Sequence, residues 1–455
     1  MKNINCFKAY DIRGSVPEEL NENIAYLISR AFVEFTNAKN VVLGMDIRLS
    51  SEKIKGSIID GITDAGSDII DIGIVGTEVV NFTTSYGNFD GGIMVTASHN
   101  PSNYNGMKIV GKGSKPISED TGLKEIKAIA ERNNFRNNGN KGKIYNKNYT
   151  KQYIEKILSF IDIKSLKPFK IVVNAGNGVA GSTLDALENY LPFDLIKINH
   201  EPDGFFPNGV PNPMIEKNRG ITADAVIKSN ADIGIAWDGD YDRCFFFDEE
   251  GKFIDGYYLV GLLSNFFLTT NPNNNIIYDP RLIWNTLELV KKCNGKAIQS
   301  KSGHAFIKQK MRDHNAVYGG EMSAHHYFRD FYFCDSGMIP WLIITQIMSL
   351  KNRSLSSLVK DRIKLFPISG EINLSVNDVS GITELLEKKY TKMAKTIDRM
   401  DGISFEFEDW RFNLRSSNTE PLIRLNIETK NNISLLNEKT RSLLKDINCN
   451  ENVIE

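Results

Sequence analysis

Apolar and polar positions alternate in blocks along most of the chain. Residues 41–44, 69–74 and 92–97 are short apolar runs of the kind that fill strands. Residues 22–35 and 51–65 space their apolar side chains as amphipathic helices do. The pattern restarts at Lys170–Asn174 (KIVVN), passes through a glycine turn at 176–181 and a helical stretch, and returns to strand at 232–237 (DIGIAW). It restarts again at Asn275–Tyr278, followed by Lys296–Gln299 and 316–318 with helices between. Repeated strand–helix alternation predicts stacked α/β units with mixed or parallel sheets. No strict sequence repeat accompanies the restarts, so duplication stays one reading among others.

The last stretch of chain behaves differently. Residues 403–414 (ISFEFEDWRFNL) and 422–428 alternate apolar and polar side chains, as half-buried antiparallel strands do, and 381–397 and 433–447 predict flanking helices. The Asn- and Lys-rich stretch 133–147 reads as a surface connection. The predicted fold class is therefore α/β: three similar α/β domains with mixed sheets at 1–147, 148–252 and 253–365, then a C-terminal α+β domain at 366–455.

A length of 455 residues suits several domains of about 100–150 residues each. The apolar fraction of 41% and charged fraction of 24% are those of an ordinary globular protein. Formal net charge is −1, which gives no bulk attraction to nucleic acid or to an anionic membrane. An anionic ligand must then be held by local basic groups. Cys6, Cys244, Cys293, Cys334 and Cys449 are scattered and form no metal-finger spacing. With no apolar signal core in MKNINCFKAYDIRG, they read as reduced thiols of a cytoplasmic protein. The apolar stretch 337–350 is shorter than the ~20 residues that cross a bilayer.

Four clusters carry candidate chemistry. In GGIMVTASHNPSNYNGMKIV a strand runs into a polar turn that exposes Ser98, with His99 and Lys108 nearby. A phosphate ester on Ser98 would be a transferable group, and His99 and Lys108 could donate to it or move protons; an ordinary loop with a capping serine is the alternative. In AWDGDYDRC, Asp238, Asp240 and Asp242 alternate along the chain, so an extended loop would turn three carboxylates toward one hard cation. Magnesium suits phosphoryl chemistry. Calcium is the rival, since Glu249 falls at the twelfth place of an EF-hand count, but Arg243 stands where that loop requires glycine and a strand precedes it. A solvated acidic turn is the remaining alternative. In GGEMSAHHYF, Glu321, Ser323 and His325 recur every second residue, so an extended backbone would present them together to sugar hydroxyls. The alternatives are a polar loop or a metal at the adjacent histidines. RSSNTEP, with Arg424 beyond it, offers Arg415 and small polar groups as a phosphate cradle, or a plain hairpin turn. Arg13 in YDIRG and His304 in SGH are smaller polar features of the same kind.

In this order and spacing, TASHNP with NGMK, DGDYDR, GEMS and RSSNTEP resemble the α-D-phosphohexomutase family from one end of the chain to the other. FKAYDIRG, GEMSAHHYFRDF, CDSGMIPW and DWRFNLRSSNTEP are similar to its bacterial phosphomannomutase branch. The resemblance implies a heart-shaped, four-domain enzyme around a central cleft, each domain lending a loop. It implies a phosphoserine at Ser98, with Asp238, Asp240, Asp242 and Ser98 around Mg²⁺. Arg13, His99, Lys108 and Arg243 would surround the reacting phosphate, Lys108 and Arg13 with acid–base roles. Glu321, Ser323 and His325 would hold the sugar, and Arg415, Ser417, Asn418 and Thr419 the phosphate that is not reacting. Tyr10, His304 and Arg281 would be further substrate contacts. It also implies hexose phosphate substrates (mannose, with glucose as second candidate), a hexose 1,6-bisphosphate intermediate and activator, and a monomer or weak homodimer with no nucleic-acid or membrane partner.

Overall fold

Strand Asn40–Met45 (NVVLGM) is buried along nearly its whole length, as a central parallel strand covered on both faces must be. The computed structural model describes residues 4–135, 139–376, 378–416 and 422–447, and among them the strands form four sheets. In the first, Asn40–Met45 lies between Asp68–Ile74 and Gly91–Val95, parallel to both. Tyr104–Gly111 adds antiparallel beside Gly91–Val95, and Lys115–Pro116 and Ile12–Ser15 pair with it.

The second sheet repeats the plan. Lys170–Asn174 runs parallel between Asp194–Ile198 and Ile233–Trp237, with Cys244–Phe247 and Phe253–Ile254 antiparallel beyond. In the third, Asn275–Tyr278 is parallel to Lys296–Gln299 and Tyr318–Gly320, and His326–Phe328 and Cys334–Asp335 follow antiparallel. Leaving aside Ile12–Ser15 and Ile144–Asn146, which extend the first sheet, and numbering along the chain, all three sets have the order second, first, third, fourth, fifth. The repeat that the sequence does not display is present as topology. The fourth sheet is wholly antiparallel, in the order Ile368–Ser375, Leu422–Thr429, Trp410–Ser416, Ile403–Glu406, Thr396–Asp398.

Local chemistry fixes the helices between strands. Asn21 caps Glu22–Thr36 by accepting from the Ile24 amide, and Asn37 in left-handed conformation ends it. Four expectations change. Residues 403–414 are a hairpin rather than one strand, closed where the Phe407 amide donates to the Trp410 carbonyl. The helix expected at 381–397 is Val379–Tyr390, and Thr396–Asp398 is an edge strand. The connection 133–147 includes strand Ile144–Asn146, held on the first sheet by Lys143 N–H on the Asp68 carboxylate at 2.7 Å. The strand expected at 316–318 is Tyr318–Gly320. Periodicity alone cannot distinguish a strand from a hairpin when the turn is itself polar–apolar alternating.

Helix Met338–Lys351 is apolar nearly all round and buried. Among the described residues no helix is long and apolar enough to cross a membrane. Its N-terminus receives Glu78 from helix Thr77–Tyr86 of the first unit: the carboxylate accepts from the Gly337 and Met338 amides, from Ser336 and from the Tyr153 hydroxyl. Three units are thus fastened at one buried acid. Burial pushes the Glu78 pKa up to about 8 from the ordinary 4.5, against the pull of these donors. The folded state therefore holds a proton that the unfolded chain releases. The stability this contributes is present at low pH and is lost as pH rises from 4.5 to about 8. Glu78→Gln, neutral throughout, should flatten that decline by up to ~1.4 kcal/mol per pH unit. Denaturant midpoints of the two proteins at pH 5.5 and 8 check this; parallel pH dependences would count against it.

Candidate active site

Each α/β unit places one polar loop at the same point of its topology, between third and fourth strand. Ser98 lies between Gly91–Val95 and Tyr104–Gly111, the aspartates between Ile233–Trp237 and Cys244–Phe247, and Glu321 to His325 between Tyr318–Gly320 and His326–Phe328. These are the C-terminal ends of parallel strands, where open α/β sheets bind ligands.

Ser98 is buried and sits at φ +50°, a left-handed conformation that costs a non-glycine residue on the order of 1 kcal/mol. Its hydroxyl donates to Asp238 Oδ2 at 2.7 Å, and His99 Nδ1 lies 3.1 Å from the same Oγ. Arg243 bonds Asp238 Oδ2 through Nε at 2.8 Å and reaches His99 Nδ1 through Nη2. Burial, with Arg243, Arg13 and Lys108 around it, holds His99 well below its usual pKa, so the ring is neutral. Arg13 approaches from strand Ile12–Ser15, donating to Asn100 at 2.6 Å and to Asp11 at 2.5 Å. Gly239 allows the loops to meet: a Cβ there would come 2.7 Å from the Ser98 carbonyl oxygen.

The aspartate loop is a turn rather than an extended segment, with Tyr241 at φ +43° and its amide on the Asp238 carbonyl. The three carboxylates still converge, with one oxygen from each inside a 4.8 Å cluster. Lys108 Nζ lies 2.6 Å from Asp240 Oδ2 and 2.5 Å from Asp242 Oδ2. The Oδ1 atoms of Asp240 and Asp242 are buried and have no hydrogen-bond partner among the described residues. Buried unpartnered carboxylate oxygens beside a third aspartate are a donor set that fits a hard divalent cation. Burial alone would lower the Lys108 pKa; Asp240, Asp242 and Asp238 reverse this and raise it, so the amine is charged. Burial likewise opposes ionisation of Asp242, but Lys108 and His325 outweigh it and hold that carboxyl well below its usual range. The calcium reading fails on geometry, because Glu249 accepts from Ser356 at 2.5 Å instead of closing a twelve-residue loop.

Glu321, Ser323 and His325 are gathered by a tight turn, not by extended backbone: the Glu321 amide donates to the His325 carbonyl and Ala324 sits at φ +70°. His325 Nε2 is 3.6 Å from Asp242 Oδ1 and its backbone pairs with Arg243, so this loop abuts the aspartates directly. The adjacent histidines part company; His326 is buried against the Tyr318 hydroxyl at 2.7 Å. Glu321 accepts from the Gly303 amide at 2.8 Å, which ties the segment before His304 to the same loop. Burial, with Lys308 and Lys108 adding to it, lowers the His304 pKa to about 3, and Tyr10 packs edge-on to the ring at 6.1 Å.

From the fourth sheet, Arg415 stands opposite Arg424 on the neighbouring strand, and both face Glu371. Arg281 reaches the same carboxylate while it grips Asp279 at 2.9 Å and touches Ser323 at 3.3 Å. Ser417, Asn418 and Thr419 lie outside the described residues.

Sequence reasoning passed over two supports of this site. Arg48 is buried and donates to the carbonyls of Ser98 (2.8 Å), Asn100 (2.7 Å), Pro101 (2.7 Å) and Tyr104 (2.9 Å), so one guanidinium holds the whole serine loop. Its amide bonds the Asp46 carboxylate as the Arg281 amide bonds Asp279, each just after the first strand of its unit. The shared D-x-R pattern was the available signal. Thr77 donates to Asp240 Oδ2 at 2.5 Å across the boundary between the first two units, and nothing local marks it.

The family model described as phosphoglucomutase/phosphomannomutase α/β/α domain I matches residues 5–137; domain II matches 151–251, domain III 255–366 and the C-terminal domain 371–438. A curated phosphomannomutase of Escherichia coli K12 is 51% identical over 455 residues, covering 98% of this chain and 100% of its own. One from Vibrio cholerae is 52% identical over 456 residues, at 98% of both. The crystal structure of a Burkholderia thailandensis phosphoglucomutase/phosphomannomutase family protein superposes with a TM-score of 0.87 at 30% identity, covering all of both chains. Likeness that runs unbroken through all four sheets, in sequence and in backbone, means that the chain belongs to the phosphoglucomutase/phosphomannomutase family.

Proposed function

We propose that the protein interconverts mannose 6-phosphate and mannose 1-phosphate through a phosphorylated Ser98 and a hexose 1,6-bisphosphate. The observation that carries the reading is Ser98 Oγ at 2.7 Å from an aspartate whose two neighbours each keep an unpartnered buried oxygen. Phosphomannomutases half identical to this chain along its length support the choice of sugar.

In the forward direction a free sugar hydroxyl attacks the phosphorus on Ser98. The bond from phosphorus to the sugar oxygen forms, the bond to Ser98 Oγ breaks, and the proton lost by the sugar hydroxyl is regained at Ser98 Oγ by way of Lys108, which gives up one proton and takes up the other. After the bisphosphate turns end over end, its other phosphoryl group returns to Ser98. Asp238, Asp240, Asp242 and an oxygen on Ser98 would hold Mg²⁺, which when bound supplies positive charge beside the transferring group. Lys108 and Arg243, both charged and buried, supply more of it. We assign Lys108 the role of handing a proton to the departing serine oxygen, and neutral His99, whose Nδ1 accepts from Arg243, that of orienting this guanidinium beside the ester. Arg13 faces the same loop through Asn100. Glu321, Ser323 and His325 would take the sugar O3 and O4, and Tyr10 and His304 line the approach. Arg415, with the Ser417, Asn418 and Thr419 segment, would clamp the distal phosphate. We assign the protein a cytoplasmic role feeding GDP-mannose to surface polysaccharide, for which mannose 1-phosphate is a suitable precursor.

Intact-mass measurement before and after incubation with a hexose 1,6-bisphosphate should show one added phosphate mapping to Ser98. Ser98→Ala should lose at least ~10³-fold in turnover. No phosphate on Ser98, or a Ser98→Ala enzyme of undiminished rate, would overturn the reading.

Mannose and glucose share the arrangement at O3 and O4 and differ at C2, so discrimination rests on one hydroxyl. A coupled assay should give kcat/KM about 10-fold or more in favour of mannose 1-phosphate, within the ~1–3 kcal/mol that a single small group supplies. Equal or better efficiency on glucose 1-phosphate makes the enzyme dual-specific.

Arg48→Lys keeps a charge but loses the planar fork that spans four carbonyls. Turnover should fall about 10- to 100-fold with KM changed by less than ~3-fold, because the serine loop shifts while sugar contacts stay. A rise in KM at constant kcat would place Arg48 outside this positioning role.

A further inference from the structure

Three guanidinium groups converge where the fourth sheet meets the third unit. Arg415 and Arg424 stand directly opposite on antiparallel strands, an arrangement that repels like charges. Arg281 joins them from the turn after Asn275–Tyr278. Glu371 reaches all three: its Oε2 is 3.6 Å from Arg281 Nη1 and 3.6 Å from Arg415 Nη2, and its Oε1 is 4.0 Å from Arg424 Nε, while Asp401 lies 3.6 Å from Arg415 Nη1 and Asp279 and Glu321 pair with Arg281 alone.

None of the Glu371 contacts is a hydrogen bond. Glu371 Oε2, Arg415 Nε and Arg424 Nε are all shielded from water and lack partners among the described residues. Arg411 and Arg243 instead each meet a carboxylate at hydrogen-bond distance, Arg411 on Glu428 at 2.9 Å and Arg243 on Asp238 at 2.7 Å. Glu371 is therefore near enough to neutralise the cluster and too far to occupy its donors. A tetrahedral dianion entering beside it would find N–H groups that have no partner among the described residues, and would meet a carboxylate that weakens its hold.

We propose that Glu371 is a positioning residue that acts through these arginines as an internal competitor for the sugar's distal phosphate. It keeps three like charges together between turnovers and caps the grip of the clamp. The inference rests on the mutase reading above, since a bisphosphate that must reverse end for end has to be let go by the clamp in every cycle. A clamp without Glu371 would bind more tightly and release more slowly.

The test compares the wild-type enzyme with Glu371→Gln. Titration calorimetry with mannose 6-phosphate on the Ser98→Ala background should show affinity raised roughly 10-fold. Steady-state kinetics on otherwise unaltered enzyme should show KM and kcat falling together, with less bisphosphate escaping per turnover. The gain in affinity should vanish when Arg415 is also changed to Gln, which locates it in the clamp. Should the amide variant not fold, Glu371→Asp carries the same test, since the shorter side chain draws its charge back and should give a smaller rise. Unchanged or weakened sugar-phosphate affinity in the folded variant overturns the proposal. Wild-type enzyme that binds sugar phosphates but does not interconvert them would instead sink the mutase reading, while the binding comparison still reports on Glu371.

Discussion

Three aspartates cannot be buried side by side unless cations from elsewhere come to meet them, and that requirement organises the molecule. Asp238, Asp240 and Asp242 belong to the second unit and are almost wholly shielded from water. Lys108, from the first unit, lies between two of them, and Thr77 from the same unit donates to Asp240. Arg243 covers Asp238, and His325 of the third unit stands beside Asp242. Isolated in its own unit, the aspartate turn would hold uncompensated charge in a low-dielectric setting, at a cost of several kcal/mol per ion. The site is thus a product of assembly. The same contacts that neutralise the acids bring Ser98 to hydrogen-bond distance of Asp238.

The convergence has a topological origin. Three units with one strand order each offer the loop after the third strand, and the Asx-type turn after the first strand sits beside it. In the first unit that turn supplies Arg48, which holds the serine loop by its carbonyls; in the third it supplies Arg281, which reaches Ser323 and Glu321. In the second, Asn174 makes the equivalent turn to the Gly176 amide, and the arginine position is a glycine. There the aspartate loop approaches with no guanidinium beneath it. Similar scaffolds therefore carry unlike side chains at the same place, a serine loop, an aspartate loop and a Glu–Ser–His loop, set by loop sequence alone.

The chemistry was legible in the sequence where it was concentrated. TASHNP, DGDYDR and GEMS are dense polar loops following apolar strands, and each lies at the C-terminal end of the third strand of its unit. Their backbone shape was not legible. The alternating acids suggested extended segments, whereas both loops are turns that use left-handed residues at Tyr241 and Ala324. Tyrosine and alanine carry no local signal for that conformation; packing between units imposes it. Arg48, Thr77 and Glu371 escaped for a related reason. Each is a single polar residue within or beside a regular element, and its role exists only through partners 50, 163 and 44 positions away. The three restarts were visible, but the strand order common to the units was not, since strand order constrains pattern and not residue identity.

The fourth unit is held on differently from the others. One apolar core runs through the second and third units and takes in Val79 and Phe82 of the first, whose remaining core is its own, whereas the cluster of the fourth, from Leu374 to Ile447, shares no buried residue with either. What joins it to the third unit is largely polar. Glu428 accepts from the Ile283 and Trp284 amides at the start of helix Trp284–Lys292 and from Arg411, while Arg411 donates to the Pro280 and Arg281 carbonyls. Asp401 accepts from the Ser302 amide, and Asp398 from Gln299. Arg411 and Glu428 are almost wholly buried, so each depends on the other for a charged partner, and loss of either would leave a charge shielded from water and unpaired. The fourth unit is thus oriented by specific hydrogen bonds and ion pairs more than by a shared apolar core. It is also the unit that carries Arg415, Arg424 and Glu371, and Glu371 meets Arg281 of the third unit, so the arginine cluster is itself part of the contact between the two units.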